Sequence, residues 1–545
     1  MAWFDVDGDG TQELLIGGGR GGRLGVYHWD DSSKFLQLSG GPVDAAFPVD
    51  QSGLAGWIGE GGRRWLLAGQ MEWEGDGHGG VVGYDLVAGE RTVLVPGWNE
   101  SVGPLAVGDV DGDGDLDLFV GGRVKAGRYP GACRSVWFRN DAGRLVEHEI
   151  NTRALSQAAR VSGAVLSDLD GDGDPDLALA CEWGPVRVYR NERGRFVEVT
   201  AEWGLEKWRG WWNGVTAGDF DGDGRLDLLA SNWGLNTKYR ASESQPRRIH
   251  SGDFDDDGTV EVIETYVDPM TGREVPERDL KSLSRALPML AEKYTTHRAF
   301  GAATVGEILG DRLKAASTVS ATSLASMVFL NRGGRFEARA LPAEAQFAPA
   351  FATVVADYDG DGREDVFLSQ NFFAYPGQTT RADAGRGLWL RGDGRGGFRP
   401  VPAAESGVAV YGEQRGAAVA DYDADGRTDL VVTQNGGATR LFRNVGAKPG
   451  LRVRLLGPAN NPDGIGAVLR VGSGENFGPA RELHAGSGYW SQDSPVTVLA
   501  RPPADSRLVI RWPGGRQTVS RIPPEARDLV VGVDGGIRDV TPRQP

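Results

Sequence analysis

The chain has 545 residues, 40% of them hydrophobic, 82 glycines and a formal charge of −16. That acidic balance argues against a nucleic-acid partner, which is normally met by a basic face, and no stretch approaches the ~18 apolar residues of a membrane helix. Glycine at about twice its usual ~7% share, with no collagen period, points to the many tight turns of an all-β repeat protein.

The chain opens on "MAWFDVDGDG", already inside a repeat. The expectation is therefore that the natural N-terminus, with a signal peptide and a further strand, lies upstream. Seven segments fit D-x-D-x-D-G-x-x-[DE], starting at Asp5, Asp109, Asp168, Asp219, Asp253, Asp357 and Asp421. An eighth has decayed: in "GWIGEGGRRWLLAG" the ligand positions hold Trp57, Gly59, Gly61 and Trp65, while Gly62 and the following apolar run remain. With it, the first starts are spaced by 52, 52, 59 and 51 residues. Most copies are followed by a hairpin such as "RSVWFRNDAGRLVEHEI" or "VRVYRNERGRFVEVT". One repeat then reads as four antiparallel strands in about 50 residues, the pattern of a propeller blade. Separate β-domains of that size would be marginal without disulfides, so one closed ring is expected.

Eight acidic or decayed loops suggest eight blades. The Asp219 and Asp253 loops lie only 34 residues apart, however, and seven blades result if they share one. The last repeat stops at "TRLFRN" without a fourth strand. Between the Asp253 and Asp357 loops lies an insertion, placed at about 276–316, in which Leu280, Leu283, Leu287, Leu290 and Tyr294 fall at helical spacing. It reads as about two helices packed across the propeller. From residue 448 to 540 short alternating strands such as "LRVRLLG" and "RLVIRW" suggest a separate β-sandwich, and 541–545 form a tail. Cys133 and Cys181 leave two readings open, a disulfide between neighbouring repeats or two buried thiols.

Carboxylates at positions one, three, five and nine of a tight turn, bent at a glycine in position six, form a cage of hard oxygen ligands suited to Ca²⁺. The side-chain ligands are Asp5, Asp7, Asp9 and Glu13; Asp109, Asp111, Asp113 and Asp117; Asp168, Asp170, Asp172 and Asp176. They continue as Asp219, Asp221, Asp223 and Asp227; Asp253, Asp255, Asp257 and Glu261; Asp357, Asp359, Asp361 and Asp365; Asp421, Asp423, Asp425 and Asp429. Position seven (Thr11, Asp115, Asp174, Arg225, Thr259, Arg363 and Arg427) would contribute a backbone carbonyl. An EF-hand needs flanking helices and an acid at position twelve, where six of the seven loops carry an apolar residue instead. Seven divalent cations would nearly cancel the formal charge of −16.

The loops and the "F/Y-R-N-x-x-G-x-F" hairpins resemble FG-GAP/VCBS repeats, the integrin α-chain type of propeller. "NPDGIGAVLRV", "RELHAGSGYWSQDSP" and "VIRWPGG" resemble the ASPIC/UnbV domain of cartilage-acidic-protein-like and bacterial secreted proteins. The resemblance implies calcium-binding extracellular, cell-surface or periplasmic proteins active in adhesion, and supplies no reaction. Catalytic signals are weak. Six histidines are scattered, "AGSGYW" lacks the glycine spacing of a nucleophile elbow around Ser487, and His484 reads as structural. Aromatics follow the second strand of several blades: Trp73, Trp183, Trp233, Phe373 and Tyr375, joined by Trp208, Trp211 and Trp212. They are expected as a collar on the face opposite the acidic loops, suited to a glycan or an extracellular protein. Wedging between blades is the other reading. The expected function is a calcium-stabilised binding or adhesion module. A propeller-fold polysaccharide lyase or hydrolase and a purely structural surface protein are the alternatives.

Overall fold

Each acidic loop turns one strand directly into the next, so pairing begins at the loop: Gly108 lies opposite Asp117, Ser167 opposite Asp176, Gly218 opposite Asp227 and Ala356 opposite Asp365. The computed structural model describes all residues except 31–33, 72–78, 157, 376–378, 502, 504 and 542–545. The first strand of each unit is rich in small and apolar residues and is buried along most of its length, at every residue in Ser101–Gly108 and Arg160–Ser167. Such a strand has neighbours on both faces. The fourth strands, such as Arg144–Glu147, are largely exposed. The burial gradient therefore fixes which edge of each sheet faces the axis.

The inner strands are Ala2–Phe4, Asp50–Ile58, Ser101–Gly108, Arg160–Ser167, Val215–Gly218, Ala350–Ala356 and Glu413–Ala420. They touch in cyclic order, and Ala2–Phe4 meets both Asp50–Ile58 and Glu413–Ala420, which closes the ring. Met1, Trp3 and Leu14 of the first blade share a core with Ala418, Ala420 and Val431 of the last, and every other adjacent pair of blades is joined in the same way. The propeller thus has seven blades, the lower of the two counts, and not eight. Blade 7 has three strands, Glu413–Ala420, Asp429–Asn435 and Gly437–Phe442, with no fourth among the described residues. The decayed loop does mark a true blade, the second. Its tryptophans are buried, and the Trp57 indole donates to the Leu116 carbonyl of blade 3 at 2.6 Å.

The Asp253 loop belongs to no blade. It joins Arg247–Gly252 to Glu261–Val267 in a separate four-stranded sheet, completed by Glu274–Pro276 and Ser317–Ala321. This sheet and its helices are inserted between the second and third strands of blade 5, Asp227–Ala230 and Met327–Asn331. The insertion is therefore larger than 276–316 and is not purely helical. Leu280, Leu283, Leu287 and Leu290 bury together, but the segment breaks into five short helices. Asp279, Thr296 and Thr304 each cap the start of one, Thr304 in a reciprocal box with Glu307.

The C-terminal region is a two-sheet sandwich. One sheet runs Thr497–Leu499, Leu451–Leu456, Asp528–Gly532, Ile537–Asp539, and the other Asn476–Phe477, Val468–Ser473, Arg507–Arg511, Gln517–Arg521. The alternation expected of a half-buried strand is visible in Leu451, Val453 and Leu455, which pack with Leu469, Ile510, Trp512 and Leu529 between the sheets. The domain is not separate from the propeller.

Candidate metal loops and the plugged channel

Six acidic loops, in every blade but the second, lie on one face of the ring, because each follows an inner strand. In each, the first aspartate turns inward and binds the loop backbone: Asp109 accepts from Gly112 and Gly114 at 2.9 and 3.0 Å, and Asp168 from Gly171 and Gly173 at the same distances. In all of these loops but that of Asp421 the position-nine acid accepts from the amide of position two, as Asp117 does from Val110 at 3.1 Å and Glu13 from Val6 at 3.0 Å. Carboxylate oxygens of positions one, three and nine then converge to within 4.8 Å in the Asp5, Asp109, Asp219 and Asp253 loops; in the Asp168 loop the converging set is Asp168, Asp170 and Asp172. Position five instead accepts from the amide of position seven, at 2.9 Å for Asp113 and Asp223. Position-seven arginines fold back on the position-five acid of their own loop, Arg427 on Asp425 at 2.8 Å, Arg363 on Asp361 and Arg225 on Asp223, while Asp115 accepts from Asn460.

Burial pushes the Asp117, Asp227, Asp365 and Asp429 carboxyls up to about 8, against the backbone bonds they accept and with nearby loop carboxylates adding to the rise. Asp168 is raised to about 7, and Asp109 and Asp421 to about 6, again chiefly by burial. Asp219 Oδ1, Asp221 Oδ1, Asp255 Oδ1, Asp423 Oδ1 and Asp429 Oδ2 are buried without a hydrogen-bond partner. Crowded, orphaned carboxylate oxygens of this kind fit a hard divalent cation, which would supply the missing partner and remove the repulsion. Arginines partly substitute: Arg391 Nε lies 2.7 Å from Asp359 and Arg443 Nε 2.6 Å from Asp423. Among the described residues no guanidinium pairs with the Asp109 loop, which leaves it the most strongly negative.

Sequence reasoning saw the "R-N" hairpins without seeing what the asparagine does. The backbone amides of Asn140, Asn191 and Asn331 donate to Asp117, Asp176 and Asp227, at 2.7–2.8 Å. Their side chains reach across to the preceding blade: Asn191 Nδ2 to Val110 O at 2.8 Å, Asn331 Nδ2 to Leu169 O at 2.6 Å. Asn444 does the same to Tyr358 O at 2.8 Å. One residue therefore ties the position-nine acid of its own loop to the next loop around the ring. Blade 6 carries Gly392 here, and only the backbone bond to Asp365 remains.

The sandwich covers this acidic face. Gly450 N donates to Gly426 O at 2.7 Å, Ala480 N to Asp219 at 2.8 Å, and Asp168 N to Glu482 at 3.0 Å. Arg452 pairs with Asp421 at 2.8 Å, Arg511 with Asp168, and the buried Arg481 with the buried Glu364. From this position the segment 485–494 enters the central channel and touches every inner strand. Val107 N donates to Ala485 O at 2.8 Å, Gly488 and Val215 exchange backbone bonds at 2.8 and 3.2 Å, and Ser494 N donates to Val419 O at 2.9 Å. Gln492 pairs with the backbone of Met1 and Trp3, and its side-chain oxygen accepts from Gly56 N at 2.8 Å. Blades 4 and 6 touch the plug at Gly163 and Thr353, against Gly488. Gly486 stands at φ 91°, where a Cβ would lie 2.2 Å from Leu105 O, so no other residue fits. Ser487 is bound through its amide to Ser491 O, and His484 Nε2 lies 2.7 Å from Glu482. Both serve the plug.

The aromatic candidates lie at the other end of the blades, but not as an open collar. Trp73 lies outside the described residues. Trp212 is fully buried and Trp208 packs against the same core. Trp183 and Trp233 are each 4% exposed. Trp211 stacks on Trp233 at 3.9 Å, Tyr375 meets Trp233 edge-on, and Arg381 lies over the Phe373 ring. Tyr239, Ile249, Ala321 and Leu324 of the inserted module complete the cluster. Most of the predicted collar is thus the apolar seat of the insertion. Beside it, burial pushes the Glu182 carboxyl up, but Arg160 and Arg123 outweigh this and hold it at about 2. Tyr129 donates to the same carboxylate at 3.0 Å, and burial drives its hydroxyl well above its ordinary value. Cys133 and Cys181 are buried free thiols, with no disulfide between them.

Residues 109–179 and 168–230 match the FG-GAP-like repeat, and residues 457–535 match ASPIC and UnbV. The chain is 24% identical over 313 residues to Cartilage acidic protein 1 of Xenopus tropicalis, a match covering 54% of this chain and 43% of that protein. Less than half of that relative is therefore spanned. Among solved structures, Saccharomyces cerevisiae Sqt1 is similar at 11% identity and TM-score 0.36, over 81% of this chain and 98% of Sqt1. The exotype rhamnogalacturonan lyase YesX is similar at 14% identity and TM-score 0.27, over 79% of this chain and 75% of the lyase. Neither superposition adds to what the sheets show. On its motifs, its blades and these family matches, the chain is a β-propeller protein of FG-GAP-like repeats with a C-terminal ASPIC and UnbV domain.

Proposed function

We propose that the chain is a calcium-stabilised extracellular binding module that offers a glycan or protein partner the face opposite its acidic loops. The observation that carries this reading is the sandwich seated on the loop face, with its 485–494 segment filling the channel. Of the two propeller faces, this leaves for a partner the part of the opposite one that the inserted module does not cover. Calcium is supported by the buried carboxylate oxygens without partners, and the loops would hold it through positions one, three and nine with the position-seven carbonyl. Bound there, the ion supplies charge neutralisation and rigidity. Sites of this extracellular kind bind at roughly 10⁻⁴–10⁻³ M, concentrations met outside the cytosol.

A lyase needs a base such as a lysine, arginine, tyrosine or histidine poised to take a proton. Tyr129 is held in its neutral form, and Arg123 and Arg160 both pair with the single Glu182 carboxylate, which supports reading the cluster as a structural ion-pair network beside the insertion. The test is a glycan array and a set of extracellular matrix proteins probed with calcium and with chelator, followed by a cleavage assay on every glycan bound. Calcium-dependent binding without turnover is expected. Turnover would replace the reading with the polysaccharide-active one, and no binding to either set would favour a purely structural role.

A further inference from the structure

On the face opposite the acidic loops, the tip of the plug forms the floor of a cleft of about 400 Å³ between blades 1, 2 and 7. This is within the ~300–1,000 Å³ range of small-molecule sites. We infer that this cleft binds a neutral saccharide. The inference rests on the reading of the chain as a binding module and names where its ligand sits.

Three observations point to a polyhydroxylated ligand. The floor is aromatic: Tyr489 and Trp490 stack at 4.5 Å, and Trp490 is held at φ 57°, a backbone conformation costly for a bulky residue. Saccharide rings pack their C–H faces on such surfaces. The walls are polar, with Asp50 and Gln51 from one side and Gln434 and Asn435 from the other. Within this lining, Gln51 Oε1, Ser52 Oγ and Trp490 Nε1 are buried with no hydrogen-bond partner. Two acceptors and a donor left unsatisfied beside an aromatic floor match a ring of hydroxyls, each able to give and take a hydrogen bond.

The charge pattern selects the class of sugar. Arg415, at the edge of the cleft, is already paired with Glu413 at 2.8 Å and donates to two backbone carbonyls. Asp50 accepts from Arg20 N at 2.7 Å. Among the described residues the site therefore offers no spare guanidinium or lysine ammonium to a uronate carboxylate. On the blade 1 side the chain runs Gly17-Gly18-Gly19, and a Cβ at Gly17 would sit 2.8 Å from Gln51 Oε1. Glycine there keeps a side chain from crowding that oxygen.

The test is calorimetric titration of the calcium-loaded full chain with cellotetraose, xylotetraose, mannotetraose and maltotetraose, with tetragalacturonate as the charged comparison. At least one neutral tetrasaccharide should bind more tightly than tetragalacturonate. Gln51→Leu and Trp490→Phe should each weaken it by about tenfold, the worth of a lost hydrogen bond. Trp211→Phe, in the aromatic seat of the insertion, should leave it unchanged. Gln51→Leu lies at a half-exposed position, and a melting temperature equal to that of the unmodified chain shows that the loss is not unfolding. Undiminished binding in both cleft variants, or no saturable heat with any neutral probe, overturns the inference. Binding to an extracellular protein alongside silence toward saccharides would remove the cleft assignment and leave the module reading standing.

Discussion

Replacing Gln492 by methionine isolates how the plug is held. The side chain is 2% exposed; its Oε1 accepts from Gly56 N at 2.8 Å, and its Nε2 donates to Trp3 O at 3.3 Å. Methionine fills a similar volume and keeps the backbone bonds to Met1 and Trp3, which are both 3.1 Å. It strands one amide and one carbonyl of two different blades in a dry channel. Each such group costs about 1–3 kcal/mol when left unpaired, so the variant should lose roughly 2–6 kcal/mol of local stability. Hydrogen exchange reads this residue by residue. The Gly56 amide should exchange roughly 30-fold faster or more, the equivalent of the lower bound, with blades 3 to 6 unaffected. Exchange at Gly56 within about threefold of the original, a change below ~0.7 kcal/mol, would refute the reasoning that the Gln492 side chain ties the plug to blades 1 and 2.

Other perturbations should separate the remaining contacts. Asn331→Ala removes the bonds to Leu169 O at 2.6 Å and Leu226 O at 3.0 Å, and denaturant titration should show a loss of about 1–3 kcal/mol. Arg481→Met leaves Glu364 buried and unpaired, so the sandwich should loosen by about 3–5 kcal/mol and become releasable by limited proteolysis. Adding Glu364→Leu should restore much of the resistance; no restoration would show that the pair does not hold the domain. Glu182 is held at about 2 against an ordinary 4.5, so its contribution is complete above about 4.5 and lost as pH falls toward 2. The stability gap between the unmodified chain and Glu182→Gln should therefore shrink across that window, and a gap that widens would contradict the assignment.

The repeats and both domains were legible in the sequence because their signals are local. An Asp-x-Asp-x-Asp-Gly loop and the strand it starts lie within a dozen residues, and seven copies reinforce one another. The blade count was less so, because the Asp253 loop uses the same local grammar on a sheet outside the ring. What distinguishes it is the pairing of Ala230 with Met327, across nearly a hundred residues that no periodicity reveals. The aromatic residues were expected as an open collar, and those among the described residues are instead largely packed in the fold. Their burial under the insertion was missed because Tyr239, Ile249 and Leu324 lie outside the stretch with helical spacing. The plug was the least visible. "HAGSGYWSQDSP" carries a signal in Gly486, Ser487 and Gly488, small residues interrupting alternating strands, but their partners Leu105, Val215 and Met1 are hundreds of residues away. The asparagine bridges were visible as a motif and invisible as contacts for the same reason.

The most direct test of the account is the amount of calcium held by the folded full chain. Equilibrium dialysis at roughly millimolar free calcium, with bound metal measured by mass spectrometry, should give several ions per chain and at most one for each of the seven acidic loops. The same concentration should raise the melting temperature relative to chelator, because the ion binds the folded state alone. Asp109→Asn together with Asp117→Asn should remove one ion from the count. No bound calcium and an unchanged melting curve would contradict the central claim that the acidic loops are cation cages.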